Sequence, residues 1–305
     1  MKYAVISDVH GNLPALTAVL ADAQAHGVEM FLLLGDYTIG CPWSNEVVHA
    51  IRGLTNACVI RGNHEDYFAN TSQFDLNSEQ FKAAQWVYNS LTKENHEYLA
   101  ALPEAAVVAG NIHLSHKFNL MNHRPMATHF NPRDFRIMME SAPISHEEYL
   151  ARARMAVLAC PQALADIRSL PEGVCLFGHN HLQFHMENEG RLLINPGSCG
   201  NPLDFFDATA AYSILIEEGG CRTVIERRVT YDKNEVIQAL AASEFATISP
   251  MWSRIFQLEQ AAAKVYMTPF VMHLMETGRA LGQTNFPVSD EVWHVAVKTW
   301  DEEKP

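Results

Sequence analysis

Residues 2–10 are Lys2-Tyr3-Ala4-Val5-Ile6-Ser7-Asp8-Val9-His10, a short apolar run followed at once by two polar side chains. A continuous apolar run of this length predicts a strand that is buried on both faces. Asn12 then suits the N-cap of a helix, and Pro14 suits the first turn of that helix. We therefore expect a buried strand, a polar loop and a helix, in that order.

The same arrangement recurs twice further along the chain. Residues 30–34 are apolar and end at Gly35-Asp36, and residues 58–60 are apolar and end at Gly62-Asn63-His64, with a predicted helix at 45–53 between them. Strands that alternate with helices indicate a parallel sheet that is covered on both faces. Right-handed crossovers would bring the polar residues after the three strands to one edge of this sheet.

The second half of the chain carries further histidines after apolar runs. The predicted elements are a helical region at 78–102, a hairpin at 105–115, helices at 145–159 and 161–169, and a strand at 173–177. His116 follows the hairpin, and Gly178-His179-Asn180-His181 follows the strand. Predicted strands at 183–186, 191–194, 209–216 and 223–229 lack long helices between them, which indicates a second, largely antiparallel sheet region. Residues 232–305 are predicted to be mainly helical.

Composition narrows the class of protein. The 305 residues carry a net charge of −13, which disfavours a nucleic-acid partner because phosphate binding requires clustered Lys and Arg. No apolar run approaches the ~20 residues that a membrane span needs, and no signal peptide is expected. The six cysteines lack CxxC pairing, which is typical of free thiols in a reducing compartment. We therefore expect a cytoplasmic protein, and a homo-oligomer remains open.

The polar residues at the strand ends are suitable metal ligands. Carboxylate, amide and imidazole groups together favour Mn, Fe or Zn. The set is large enough for two divalent ions with positions left for water or substrate, an arrangement that hydrolyses phosphoesters. The candidate ligands are Asp8, His10, Asp36, Asn63, His116, His179 and His181.

The order D-x-H, G-D, G-N-H-E, H and G-H-x-H resembles that of the calcineurin-like metallophosphoesterases. The stretches at 8–12 and 195–198 resemble their small bacterial and archaeal phosphodiesterases more specifically. The resemblance covers about residues 1–230. It implies a four-layer αββα sandwich, in which two packed mixed sheets are flanked by helices, and a hydrolase of small phosphodiesters or phosphomonoesters.

The same resemblance implies a role for each residue at the site. One ion would be held by Asp8, His10, Asp36 and His181, and the other by Asp36, Asn63, His116 and His179, so that Asp36 bridges the two. His64 would not bind metal but would assist the leaving group during in-line attack by a metal-bound hydroxide. Asn12, Arg124 and Arg133 are candidate substrate contacts, although Asn12 also suits a helix cap and the arginines a solvated surface.

Two departures from the family pattern affect the expected function. Gly35-Asp36 is followed by Tyr37-Thr38-Ile39-Gly40, so the chain lacks the Asp and Arg of the protein phosphatases in this superfamily. A protein phosphatase is therefore disfavoured. His116 is followed by Lys117 instead of Gly, and then by an insertion of about 117–170 that is long enough for a cap over the site.

The predicted organisation is a phosphoesterase core at 1–231 and a helical C-terminal extension at 232–305 packed on that core. The expected partner is a small phosphorylated molecule. Two alternatives are kept beside this function. One is a nuclease of the same superfamily, which the acidic balance disfavours. The other is a non-catalytic protein-binding scaffold, which we would expect to have lost His64 or some of the ligands.

Overall fold

Two five-stranded sheets pack face to face in a computed structural model that describes residues 1–69, 78–118, 144–159, 161–285 and 287–302. The strand order is β10-β9-β1-β2-β3 in the first sheet and β4-β5-β6-β8-β7 in the second. Each sheet contains three neighbouring parallel strands, so each sheet has an edge at which several strands end together.

The first sheet contains the predicted run of three parallel strands. These are β1 (Lys2–Ile6), β2 (Met30–Leu33) and β3 (Ala57–Val59). Two long strands, β9 (Ala210–Glu218) and β10 (Cys221–Val229), extend the sheet on the other side of β1, and both pair antiparallel. The first sheet is therefore mixed, and its parallel half carries the first three polar loops.

The second sheet is also mixed. Its parallel strands are β5 (Ile112–Ser115), β6 (Gly173–Leu176) and β8 (Arg191–Pro196). The edge strands β4 (Ala105–Val108) and β7 (Gln183–Asn188) pair antiparallel with β5 and β8. The predicted hairpin at 105–115 is thus confirmed.

The prediction that the four last strands form one largely antiparallel region is wrong. Strands β7 and β8 lie in the second sheet, whereas β9 and β10 complete the first. The cause is the free edge of β1, which pairs with β2 on one side only and accepts β9 on the other, with Lys2 opposite Ile216. Ile214 and Leu215 then bury their side chains on opposite faces of the sheet.

Helices cover the outer faces of both sheets. They are α1 (Leu13–Ala25), α2 (Ser44–Arg52), α3 (Asp66–Ala69), α4 (Lys82–Ser90), α5 (Lys93–Ala101), α6 (His146–Leu158), α7 (Pro161–Ser169), α8 (Lys233–Ala242), α9 (Glu244–Ile248), α10 (Pro250–Ala262), α11 (Met267–Ala280) and α12 (Asp290–Thr299). The predicted helical region at 78–102 is divided, because Leu91 is extended and Thr92 caps α5 by accepting from the amide of Asn95.

Three apolar clusters define the layers. Val5, Leu32 and Leu176 belong to the cluster between the two sheets. Ile6 and Val19 belong to a second cluster on the outer face of the first sheet. Members of the third cluster lie on the outer face of the second sheet, among them Tyr149, Val157, Phe177 and Leu193. This arrangement confirms the predicted four-layer αββα sandwich.

The C-terminal helices share the apolar cluster of the first sheet. Leu240, Phe256 and Trp293 are buried in the same cluster as Val19 of α1. Helices α6 and α7, which fall within the predicted insertion, form the outer layer on the second sheet. The remainder of that insertion includes 119–143, which lies outside the described residues, so the cap and the domain boundaries stay predictions. None of the described helices is both long and apolar enough to span a membrane.

Candidate metal centre

The predicted ligands lie at the carboxyl ends of parallel strands from both sheets. Asp8 follows β1, Asp36 follows β2 and Asn63 follows β3, all in the first sheet. His116 follows β5 directly, and His179 and His181 follow β6 in the second sheet. Because the two sheets are packed face to face, these loops meet along one rim of the sandwich.

One group of ligands consists of Asp8, His10 and His181, all buried, with donor atoms within 4.8 Å of one another. The Nε2 atoms of His10 and His181 are 3.2 Å apart. Oδ1 of Asp8 lies 3.4 Å from Nε2 of His181 and 3.9 Å from Nε2 of His10. Three donor atoms converging in this way can bind a single ion.

A second group consists of Asp36, His116 and His179, whose donor atoms also lie within 4.8 Å of one another. Oδ2 of Asp36 is 3.3 Å from Nε2 of His116, and the rings of His116 and His179 are 5.3 Å apart between centroids. The two groups are neighbours, since the backbone amide of His179 donates to Oδ2 of Asp8 over 3.1 Å. His179 and His181 therefore belong to different groups.

Backbone carbonyls orient the imidazole rings. Nδ1 of His10 donates to the carbonyl of Ile39 over 3.0 Å, and Nδ1 of His116 donates to that of Leu34 over 2.8 Å. Nδ1 of His181 donates to the carbonyl of Asn201 over 2.6 Å. Because a carbonyl only accepts, the proton lies on Nδ1 in each neutral ring and Nε2 keeps the lone pair that a metal requires.

Three ligand atoms are buried without a hydrogen-bond partner in the described part of the chain. They are Oδ1 of Asp8, Oδ1 of Asn63 and Nε2 of His116. Buried polar atoms of this kind normally find a partner, because leaving them unsatisfied costs about 1–3 kcal/mol each. A pair of divalent cations would satisfy all three, and the mixed carboxylate, amide and imidazole donors suit Mn, Fe or Zn. The residues present therefore fit the implied metals.

The electrostatics of the centre favour a charged Asp36 carboxylate and neutral imidazoles at His10 and His179. Burial and the nearby His64 and His181 hold the pKa of His10 well below its usual range. Burial, reinforced by His116, lowers the pKa of His179 to about 3. Burial also opposes charge on His116, yet the Asp36 carboxylate outweighs it and raises the pKa of His116 to about 9. A divalent ion would supply the positive charge that Asp36 otherwise draws from a protonated His116.

Glu65 is a site residue that sequence analysis did not single out. Its carboxylate is fully buried and accepts from the backbone amides of Asp36, Tyr37 and Gly62, over 2.8 to 2.9 Å. Burial and the neighbouring Asp36 raise the pKa of Glu65. Glu65 thus ties the loop after β2 to the loop after β3. Its position directly after Asn63-His64 was the available signal.

His64 lies beside the two groups with its side chain 19% exposed. Nδ1 of His64 donates to the carbonyl of Thr38 over 3.1 Å, and its backbone amide donates to Oδ1 of Asp36 over 2.9 Å. Nε2 of His64 is 3.9 Å from Oδ2 of Asp36. The Thr38 carbonyl therefore orients the imidazole in a chain that lacks the aspartate of the protein phosphatases.

Five of the predicted ligands adopt left-handed backbone conformations. Their φ angles lie between 50° and 69°, at Asp8, His10, Asp36, His179 and His181. This region costs a residue other than glycine about 1–2 kcal/mol. Tight left-handed turns directly after the strands let alternate side chains point into the same small volume, and such strain is typical of functional sites.

The other predicted site residues have different surroundings. Asn12 is fully buried; its Oδ1 accepts from the amide of Ala15, and its Nδ2 donates to the carbonyl of Gly200. This geometry matches the capping role, and a substrate contact by Asn12 stays a prediction. Arg124 and Arg133 lie outside the described residues. Ser198 donates to the carbonyl of Asp8 and so shapes the loop that supports the centre.

Two adjacent carboxylate–histidine groups at the rim of an αββα sandwich are an arrangement that suits metal-dependent phosphoric ester hydrolases. The sequence model of the calcineurin-like phosphoesterases matches residues 1–183, which is more than half of the chain. The chain therefore belongs to the calcineurin-like phosphoesterase family. The resemblance to the calcineurin-like metallophosphoesterases is thus confirmed at the level of the family.

Known proteins resemble this chain beyond the region that the family model matches. The uncharacterized protein MJ0912 of Methanocaldococcus jannaschii is 28% identical over 265 residues, which cover 82% of this chain and 94% of that protein. A metallophosphoesterase from Sphaerobacter thermophilus is 26% identical, with a TM-score of 0.58, covering 86% of this chain and all of the other. The hypothetical protein PH1004 from Pyrococcus horikoshii has the same TM-score at 18% identity, and the match covers 84% of this chain and 97% of that protein. At this identity the similarity shows the fold alone.

Proposed function

We propose that the protein hydrolyses a small phosphodiester or phosphomonoester at a centre of two divalent ions. The observation that supports this most directly is the pair of three-residue ligand groups, which lie side by side and include buried ligand atoms without hydrogen-bond partners. Such a pair of ions supplies positive charge for the phosphoryl oxygens and activates water for in-line attack.

The proposed ligands divide between the two ions. Asp8, His10 and His181 hold one ion, and His116, His179 and Asn63 hold the other. Asp36 bridges them, a role supported by the closeness of its Oδ2 to His116 and by its electrostatic effect on the pKa values of both His116 and His10. All seven side chains lie in loops that follow strands of the two sheets.

His64 is proposed to protonate the oxygen that leaves the phosphorus. Its Nδ1 is engaged by the Thr38 carbonyl, so Nε2 is the atom that delivers the proton. The centroids of the His64 and His10 rings are 4.8 Å apart, so His64 lies beside the two proposed metal positions but outside both ligand groups. Partial exposure of the ring leaves it accessible to substrate.

The experiment that tests this function combines metal analysis with a substrate panel. Metal-free protein is reloaded with Mn²⁺, Fe²⁺ or Zn²⁺, and elemental analysis gives the number of ions bound. Each form is then assayed with chromogenic phosphodiesters, phosphomonoesters and cyclic nucleotides. We expect two ions per chain and turnover of at least one small ester.

Two other outcomes would redirect the proposal. Cleavage of single- or double-stranded DNA at a higher rate than of small esters would favour the nuclease. A protein that binds two ions but leaves the whole panel intact would favour the scaffold. The proposal also includes a small phosphorylated substrate and a cytoplasmic location. It further divides the chain into a core at 1–231 and an extension at 232–305.

A further inference from the structure

Helix α10 ends on two polar side chains, Glu259 and Gln260, that are both fully buried. They face residues 198–201, the loop that follows β8 and lies behind His181. Burying a carboxyl group and an amide side by side is costly unless each polar atom finds a partner. The partners of these two side chains show what the end of α10 does.

Gln260 is bound at both ends of its amide. Its Nε2 donates to the carbonyl of Gly200 over 2.6 Å and to Oδ1 of Asn201 over 3.3 Å. Its Oε1 accepts from the hydroxyl of Tyr231 over 2.7 Å and from Nδ2 of Asn12 over 3.4 Å. Gln260 therefore joins the loop at 198–201 to the N-terminus of α1 and to the chain after β10.

Glu259 determines the orientation of the Asn201 side chain. Oε2 of Glu259 accepts from Nδ2 of Asn201 over 3.2 Å, and Oε1 accepts from the amides of Tyr266 and Met267 over 2.9 Å. The Asn201 amide thus donates to Glu259 and accepts from Gln260. Exchanging the oxygen and the nitrogen of the Asn201 amide would break both hydrogen bonds. Only one orientation of this amide therefore satisfies both Glu259 and Gln260.

Asn201 in turn contacts a predicted ligand. Its backbone carbonyl accepts from Nδ1 of His181 over 2.6 Å, which fixes both the tautomer and the direction of that ring. The corresponding carbonyl for His116 belongs to Leu34, directly after β2. Asn201, which supplies the carbonyl behind His181, is held through its side-chain amide by Glu259 and Gln260 of a C-terminal helix, and Gln260 also holds the preceding carbonyl, that of Gly200.

We propose that Glu259 and Gln260 are positioning residues that set the affinity of the metal position formed by Asp8, His10 and His181. The inference rests on the proposed dinuclear centre. It makes α10 part of one half of that centre, because α10 holds Asn201 and the carbonyl of Asn201 holds the His181 ring. Outer-shell partners of this kind are worth about 10- to 100-fold in metal affinity.

The test is a calorimetric titration of Mn²⁺ into metal-free Gln260→Met protein. Methionine keeps the length of the side chain and removes its hydrogen bonds. Gln257→Met is the matched control, since Gln257 lies on the same helix and its amide donates to Ser253 of that helix. His181→Ala and His179→Ala each remove one ligand from one position, so they identify which binding step belongs to which position.

We expect Gln260→Met to lower the Mn²⁺ affinity by about 10- to 100-fold. The affected binding step should be the one that His181→Ala also weakens. The step that His179→Ala weakens should change much less, and Gln257→Met should match the wild type at both steps. Glu259→Gln should weaken the same step as Gln260→Met, because its amide places a donor against Nδ2 of Asn201. Circular dichroism and melting of each metal-free variant show whether the fold is retained.

Wild-type affinity at both steps in Gln260→Met and Glu259→Gln would overturn the inference. Equal weakening of both steps would also overturn it, because a general loss of structure does not distinguish the two positions. A wild-type protein that binds two Mn²⁺ ions but hydrolyses no ester contradicts the proposed function alone, and the titration then still decides the inference. Binding of fewer than two ions contradicts the centre itself.

Discussion

His64 and His116 show how neighbouring imidazoles are prepared for different tasks. Each donates from Nδ1 to a backbone carbonyl, so each presents Nε2 towards the centre. The side chain of His116 is 5% exposed and lies against Asp36, whereas that of His64 is 19% exposed. In the proposed mechanism, the buried ring of His116 binds an ion and the more open ring of His64 meets the substrate.

Replacing His64 with alanine is expected to lower turnover by about 10²- to 10⁴-fold, the usual contribution of a general acid. Both ions should remain, because His64 lies outside the two ligand groups. Activity and metal content are measured on the same preparation. His113→Ala is the control, since His113 lies three residues before His116 on β5 and so points to the opposite face. A variant of His64 that loses its metals would contradict this division of roles.

Asp36→Asn is expected to weaken the binding of both ions together, since the proposed bridge loses its charge. Asp8→Asn, which changes a ligand of one group, should weaken mainly one ion. Titration of each metal-free variant with Mn²⁺ gives the two affinities. Weakening of a single ion in Asp36→Asn would refute the bridge.

At the scale of elements, the alternation of strand and helix was enough to predict the first three strands and the polar loops after them. The apolar run, the polar residues after it and the helix signals of each of these units lie close together in sequence. The edge that β9 occupies was not predictable in the same way, because pairing of Lys2 with Ile216 joins distant parts of the chain. The role of Glu65 also depends on tertiary contacts, since its carboxylate oxygens accept from backbone amides in the loop after β2.

Asp22 joins α1 to the two strands that sequence analysis misplaced. Its carboxylate accepts from the hydroxyl of Tyr212 on β9 and from the guanidinium of Arg227 on β10. The hydrogen bond from Arg227, more than any other influence, holds the pKa of Asp22 below its ordinary value of 3.8. The charged form is therefore the one that stabilises the fold.

The contribution of Asp22 should be complete above the ordinary pKa of 3.8 and should be lost as the pH falls through the lower value of the folded protein. We therefore expect Asp22→Asn to be less stable than the wild type at neutral pH and to approach it as the pH falls below 3.8. Urea unfolding of both proteins across this range measures the difference. A difference that does not change with pH would show that the charge has no role.

At the scale of the whole molecule, the C-terminal helices and the first sheet share one apolar cluster. The ring of Phe245 in α9 stacks on that of Trp86 in α4, with centroids 5.2 Å apart, and Phe245 is 1% exposed. A segment that shares its core in this way is expected to unfold together with the rest of the chain, whatever boundary is drawn at residue 231.

Phe245→Ala is expected to lower the free energy of unfolding by about 3–5 kcal/mol, since it removes a buried aromatic ring. Met272→Ala is the control, because Met272 is 57% exposed and should have little effect. Unfolding is followed both by tryptophan fluorescence and by circular dichroism. The two signals should give one coincident transition, and separate transitions would mean that the helices form an independent unit.

The left-handed backbone at the five ligands has a consequence for the evolution of such proteins. Glycine adopts this conformation without steric cost, so replacing a ligand with glycine relieves local strain while it abolishes the centre. Selection for heat resistance alone, in a medium stripped of metal, would therefore erode these positions early. A lineage that keeps Asp and His there at the expense of stability would be under continuing selection for the proposed metal centre.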